Sequence, residues 1–265
     1  MTWYSGLALL VAASIAGQAV AQLPPGYWDV DRSQPLLDRT LEITLAPDLA
    51  SLEDSELRAV QRLLEAGAIL HRMYEAQKHD QAPYAFEALN ELVTIDSPTA
   101  LDNLQRLFRL FRGPIATTLD NERLAFLPVS PESPGKAVYP EGISAPEVEN
   151  FMARGLNTGD ILGDRSVVRR ATLRNLRQDI GSLQDYPVLG TLHPGLSERL
   201  ARLVQTPDPN VLYAVPYSVA WAPSVLRIYD LLREASDLMQ ATDADFAAYL
   251  RLRAHDFLTD DYEGG

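Results

Sequence analysis

Between Leu52 and Lys78 apolar side chains return every third or fourth residue: Leu57, Val60, Leu64, then Gly67 and His71, flanked by Leu63, Leu70 and Tyr74. That spacing lines them along one side of a helix with 3.6 residues per turn and suits no strand. Ser51 followed by Asp54 resembles a capping box at its start. The same period governs most of the remaining chain. Ser97 as N-cap and Pro98 at the first helical position open a second helix through Leu101, Leu104, Leu107, Phe108 and Phe111, which Gly113-Pro114 stops. Further helices are expected over Phe86–Val93, Ala145–Arg154, Arg165–Leu183, Ser197–Val204, Ser218–Gln240 and Thr242–Leu258, the last with Thr242 and Asp245 as a capping box.

Strands have little room. Residues 22–49 open with Pro24-Pro25-Gly26 and show no clear period, so an extended segment is expected there, with a short strand around Leu41–Leu45. Val211–Val215, closed by Pro216, is the best strand elsewhere. Between Gly113 and Glu141 five prolines (114, 128, 131, 134 and 140) and Gly135 interrupt every period, which implies loops with short strands at most. The fold class is mainly α with minor β (α+β).

Composition narrows the function. With 36 acidic and 23 basic residues the chain carries a net charge of −13, so nucleic acid is not an expected partner. The apolar share of 46% in 265 residues supports a substantial core. There is no cysteine, which excludes disulfide scaffolds, thiol nucleophiles, iron–sulfur clusters and thiolate zinc sites.

Leu7 to Ala21 is an uncharged apolar run ending in Ala19-Val20-Ala21, whose small residues suit signal peptidase cleavage before Gln22. The run is short for a bilayer span of about 20 residues. Residues 1–21 therefore read as a signal peptide, although Met1 to Gly6 carries no Lys or Arg; the rival is an uncleaved anchor. Export to the periplasm or the medium follows, with no stable membrane span after cleavage.

Motifs that carry chemistry are scarce. A helical zinc site of the metallopeptidase type needs two His one turn apart with a Glu beside them. The histidines are His71, His79, His193 and His255, and none forms that pair. His71 with Glu75 is read more simply as a partly buried His on an amphipathic helix beside a solvated Glu, and His255 with Asp256, Asp260 and Asp261 as a solvated helix terminus. No G-x-S-x-G elbow and no phosphate-binding glycine loop occurs. Arg170, Arg174 and Arg177 recur at helical spacing near Arg165 and Arg169; such a stripe can grip an acidic group or pair internally. Tyr213, Tyr217, Trp221 and Tyr229 cluster at a strand-to-helix junction and read as a pocket lining or as core.

Several blocks of the chain share a resemblance. They are Val211-Leu-Tyr-Ala-Val-Pro-Tyr-Ser218, Asp230-Leu-Leu-Arg-Glu-Ala235 and Tyr249-Leu-Arg-Leu-Arg-Ala-His-Asp-Phe-Leu-Thr-Asp-Asp-Tyr262, preceded by Leu63-Leu-Glu-Ala66 with Met73, Val138-Tyr-Pro-Glu-Gly142 and Val168-Arg-Arg-Ala-Thr172. In this order they resemble bacterial proteins related to the dipeptidyl-peptidase III family of zinc metallopeptidases. The resemblance implies that residues 22–265 are the N-terminal helical lobe of a two-lobed protein, ending before its zinc region. It implies zinc as cofactor and a peptide as substrate for the full-length family, with this lobe as one wall of the peptide cleft. The family's H-E-x-x-G-H helix and downstream glutamate have no match here, so no catalytic, cofactor-binding or metal residue is assigned. The chain alone is expected to be inactive. The alternative is a stand-alone helical extracytoplasmic binding or interaction protein.

Overall fold

A computed structural model describes residues 23–92, 97–155 and 158–263. The expected signal segment, the end of the Phe86–Val93 helix and the last two residues lie outside them. The elements are α1 (Val30–Leu37), α2 (Asp54–Lys78), α3 (Ala82–Glu91), α4 (Pro98–Phe111), β1 (Ile115–Thr117), β2 (Arg123–Ala125), α5 (Ala145–Ala153) and α6 (Thr158–Ile161). They are followed by β3 (Ser166–Ala171), α7 (Leu173–Asp185), α8 (Pro187–Leu192), α9 (Leu196–Leu203), β4 (Asp208–Pro216), α10 (Tyr217–Ala220), α11 (Ala222–Met239) and α12 (Ala244–Thr259). Helices dominate and two antiparallel ribbons, β1–β2 and β3–β4, supply the strands, so the fold is mainly α with minor β. Among the described residues no helix is long and apolar enough to cross a membrane.

Three apolar clusters hold the chain. The largest packs α2 and α12 on opposite sides of α11, through Ala59, Ala66, Ile69 and Met73 on one and Ala247, Leu250, Ala254 and Leu258 on the other. The second joins α1, α3, α4 and the β1–β2 hairpin around Phe108, Leu104 and Phe126, with Phe86 stacked on Phe108. A third, smaller one lies under α5 and α6.

The helical period of α2 is confirmed, but its buried side is not the one the large apolar residues suggested. Leu64 is 69% exposed and His71 is exposed, while Ala59 and Ala66 are almost fully buried. The side packed on α11 carries Ala59 and Ala66 together with Ile69 and Met73, so small and large residues share it. The first turn is fixed by Glu56, whose carboxylate accepts from the Glu53 amide at 2.8 Å, rather than by Ser51 with Asp54. At the other end of the chain Asp243, not Thr242, caps α12 by accepting from the Phe246 amide at 2.9 Å.

Four further expectations are corrected. Residues 22–49 contain α1, whose Pro35 hides its period; Asp29 caps it, accepting from the Arg32 amide at 3.0 Å. Buried Asn103 on α4 locks it by donating to Ser33 Oγ and Gln34 Oε1, each at 3.0 Å. Residues 41–45 form no strand. The single helix expected over Arg165–Leu183 is β3 followed by α7, divided at Thr172, whose hydroxyl accepts from the Asn175 amide at 3.3 Å. The helix expected over Ser218–Gln240 breaks at Trp221 into α10 and α11, because the Pro223 ring would collide with the Val219 carbonyl of a continuous helix.

The β3–β4 ribbon shows why helical spacing loses at 165–172. Register pairs Val167 with Val215 and Arg169 with Tyr213 on one face, and Val168 with Ala214 and Arg170 with Leu212 on the other. The first face meets α7 and the large core; the second meets Ile143, Phe151 and Ile161. A strand buried on both faces keeps β-branched Val167-Val168 extended.

Candidate functional site

A depression of about 750 Å³ lies where β4, the α8–α9 turn and the end of α12 converge. Sequence places three chemically distinct groups there. Pro216 ends β4 and frees the chain to start α10, which brings Ser218 inward. His193 follows α8 in an extended conformation, before Pro194-Gly195 turns the chain into α9. Asp260 terminates α12 in the left-handed region, at φ 56°, so its side chain folds back toward α10.

Serine, histidine and aspartate thus meet, a constellation that no spacing in the sequence announces. Ser218 is fully buried, and its amide and hydroxyl both donate to Asp260 Oδ2, at 3.0 and 2.7 Å. His193 Nε2 lies 2.7 Å from Ser218 Oγ and 3.1 Å from the Leu258 carbonyl. Only one proton assignment satisfies all of these contacts. The serine proton goes to the carboxylate, so the imidazole carries its proton on Nε2 and donates to the carbonyl and the serine oxygen. A nucleophilic triad needs the reverse, with an imidazole nitrogen accepting the serine proton and the aspartate on the other nitrogen. This set is a clasp that ties α8, α10 and α12 together.

Electrostatics agree with a clasp. Burial depresses the His193 pKa below the ordinary imidazole value, with Asp260 and the Leu258 carbonyl pulling it back. Burial raises the Asp260 carboxyl, opposed by the two Ser218 hydrogen bonds, His193 and Arg165. Arg165 closes the outer side: its guanidinium donates to the Asp260 carbonyl at 3.0 Å and stacks 4.8 Å from the Tyr262 ring centre.

The rest of the rim is charged. Arg199 donates to Asp160 Oδ2 at 2.5 Å and to the Ala214 carbonyl at 2.8 Å, bridging α6 and β4. Arg202, Asp164 and Glu263 complete a lining of both signs. Such a surface accepts a polar, extended ligand through paired charges and hydrogen bonds, and offers little to an apolar one.

The residues singled out in the sequence fall elsewhere or apart. Of the arginine stripe, Arg169 and Arg170 lie on β3 and point to opposite faces, while Arg174 and Arg177 are exposed on α7. Arg170 forms a two-pronged pair with Glu147 on α5, with Nη2 3.1 Å from Oε2. Arg169 Nη1 stands 3.0 Å from Asp179 Oδ1 as an ion pair, and Tyr213 donates to Asp179 Oδ2 at 2.6 Å. Tyr213 is therefore core; Tyr217 lies beside a second, more apolar hollow with Tyr74, Phe257 and Tyr262.

The zinc implied by the family resemblance finds no fitting donor set among the described residues. His71 lies beside the Arg112 guanidinium, 3.4 Å away, and Glu75 is paired with the same arginine. Buried His79 spends both nitrogens on backbone, Nε2 on the Ser130 carbonyl and Nδ1 on the Gln81 amide. His193 is held in the clasp, and His255 is exposed while Asp256 pairs with Arg253 at 2.7 Å. Nowhere among the described residues do three such donors converge.

No family model matches the sequence, and no curated protein matches it. Solved structures do. Dipeptidyl-peptidase III from Corallococcus sp. strain EGB superposes over 89% of this chain with a TM-score of 0.64 at 22% identity. The fold is similar to part of a dipeptidyl-peptidase III. The Caldithrix abyssi dipeptidyl-peptidase III agrees, covering 82% of this chain with a TM-score of 0.58 at 21% identity. This chain spans about a third of either dipeptidyl-peptidase III, 36% and 33% respectively. The resemblance read from the scattered sequence blocks is borne out at the level of fold.

Proposed function

We propose that this chain builds one wall of the peptide cleft in a dipeptidyl-peptidase III-like hydrolase, with the metal chemistry supplied by polypeptide outside this sequence. The observation that carries the proposal is the match of nearly the whole chain to a third of two dipeptidyl-peptidase III structures. Two features support it. The histidines and carboxylates of the described residues offer no set of three converging donors, and the depression beside the α8–α9 turn is polar and mixed in charge, which suits an extended peptide. Export, by contrast, rests on Leu7–Ala21 alone; amino-terminal sequencing of the secreted product should begin at Gln22.

The test is a purified chain given zinc, a dipeptidyl-naphthylamide and, separately, an unlabelled hexapeptide. Expected are no chelator-sensitive turnover, and amide chemical-shift changes confined to the depression, at millimolar peptide. Stoichiometric zinc with turnover would overturn the proposal, as would a hexapeptide that shifts nothing. Tight capture of a different small ligand in the depression would favour a stand-alone binding protein.

A further inference from the structure

Residues 41–46 are built like a strand and pair with no strand among the described residues. Leu41, Ile43 and Leu45 alternate with Glu42 and Thr44, so an extended backbone puts the three large apolar side chains on one face. They are 83%, 71% and 87% exposed, the most exposed apolar run among the described residues. No backbone hydrogen bond within the described residues engages positions 41–47, whereas the flanks are tied down: the Thr40 amide donates to the Leu37 carbonyl and the Leu52 amide to the Leu49 carbonyl. On the opposite face Glu42 stands 3.8 Å from Arg106 of α4, which aims the apolar face outward. Pro47 ends the segment, since it has no amide to give a ladder.

We propose that residues 41–46 add as a strand to a sheet edge contributed by the part of the dipeptidyl-peptidase III fold that this chain does not span. The inference rests on the lobe reading above. An unpaired edge with three exposed apolar residues in alternation is a template for another strand, and stable folds cover such edges. The two matching structures extend over about three times the length of this chain, and so hold polypeptide that it does not match. A second copy is the poorer occupant. Each copy carries a net charge of −13, with Asp38, Glu42 and Asp48 in or beside the segment, so pairing two copies brings like charges together. The edge that fits offers alternate apolar residues facing Leu41, Ile43 and Leu45, with neutral or basic residues at its ends.

The test uses the isolated chain and a chimera in which it replaces the matched third of Corallococcus dipeptidyl-peptidase III, with hydrogen exchange and dipeptide release as separate readouts. The amides of 41–46 should exchange at near-unfolded rates in the isolated monomer and at least about 100-fold more slowly in the chimera. Protection there without activity would sink the lobe reading and leave the strand. An active chimera with unprotected 41–46 would overturn the strand and leave the lobe. An isolated chain already dimeric and protected at 41–46 would also overturn it, naming the second copy as occupant. Should the chimera not fold, superposition on the solved Corallococcus enzyme decides. The residues aligned with 41–46 must pair with a strand from outside the matched third, and an exposed or internally paired segment refutes the proposal.

Discussion

Asp179 joins the β3–β4 ribbon to α7, and removing it should cost more than removing most of the apolar residues around it. Its carboxylate is fully buried between Arg169 Nη1 at 3.0 Å and the Tyr213 hydroxyl at 2.6 Å, two residues that face each other across the ribbon. Asp179→Ala leaves the Arg169 guanidinium, whose side chain is 15% exposed, without its counter-charge, and orphans the tyrosine. Breaking one side of a buried ion pair costs about 3–5 kcal/mol. Asp179→Asn keeps an acceptor for Tyr213 and should cost about 1–2 kcal/mol less, the net worth of that hydrogen bond. Arg169→Met behaves differently. Burial already raises the Asp179 carboxyl, opposed chiefly by Arg169, so without the arginine the carboxyl holds its proton to still higher pH. For an acid whose folded pKa is raised, stability is fully present below the unfolded value and is lost as pH rises toward the folded one. Arg169→Met should therefore be milder at pH 5 than at pH 8. Urea unfolding followed by circular dichroism at both pH values, extended to the double variant Arg169→Met/Asp179→Ala, completes the cycle. The double variant should lose less than the two single losses added. Simple additivity, or an Asp179→Ala cost below about 1 kcal/mol, would refute the assigned coupling.

Two further outcomes follow from the clasp and from a turn. Burial holds His193 below its ordinary pKa, so the opened clasp takes a proton first; its contribution is full above about pH 6.5 and falls as pH drops toward the folded value. Asp260, raised by burial, works in the opposite sense at lower pH. Protection factors of the amides around residues 258–262, taken against the intrinsic exchange rate at each pH, should fall between pH 7.5 and 5.5, and His193→Gln should remove most of that difference; an unchanged difference would clear His193 of the role. Gly26 has φ +94°, and a Cβ there would lie 2.8 Å from Pro128 Cβ. Gly26→Ala should lower stability by about 1–3 kcal/mol, read as a drop in the urea midpoint, and no drop would mean that the turn relaxes freely.

Local physics sufficed for much of the chain. The α4 helix, opened by Pro98 and buried along its regular leucines, and the β4 core, an unbroken apolar run at Val211–Val215 stopped by Pro216, follow from local pattern alone. The blocks around Val168–Thr172, Val211–Ser218 and Tyr249–Tyr262 also carried the likeness to dipeptidyl-peptidase III, later matched by fold. Tertiary contacts decided the rest. Arg165–Leu183 has helical spacing throughout, yet its first third is a strand, since pairing with β4 and burial on two faces outweigh a surface stripe of arginines. The buried side of α2 is the one that α11 covers, with Ala59, Ala66, Ile69 and Met73, and not the one that Leu64 and His71 share. Ser218, His193 and Asp260 are separated by 25 and 42 residues and meet only when three helix ends converge, so hydrogen-bond direction, which no sequence states, made them a clasp and not a nucleophile. Period and capping are properties of a few neighbouring residues and can be read along the chain; register, close approach and proton placement are properties of pairs brought together, and exist only once the chain has folded.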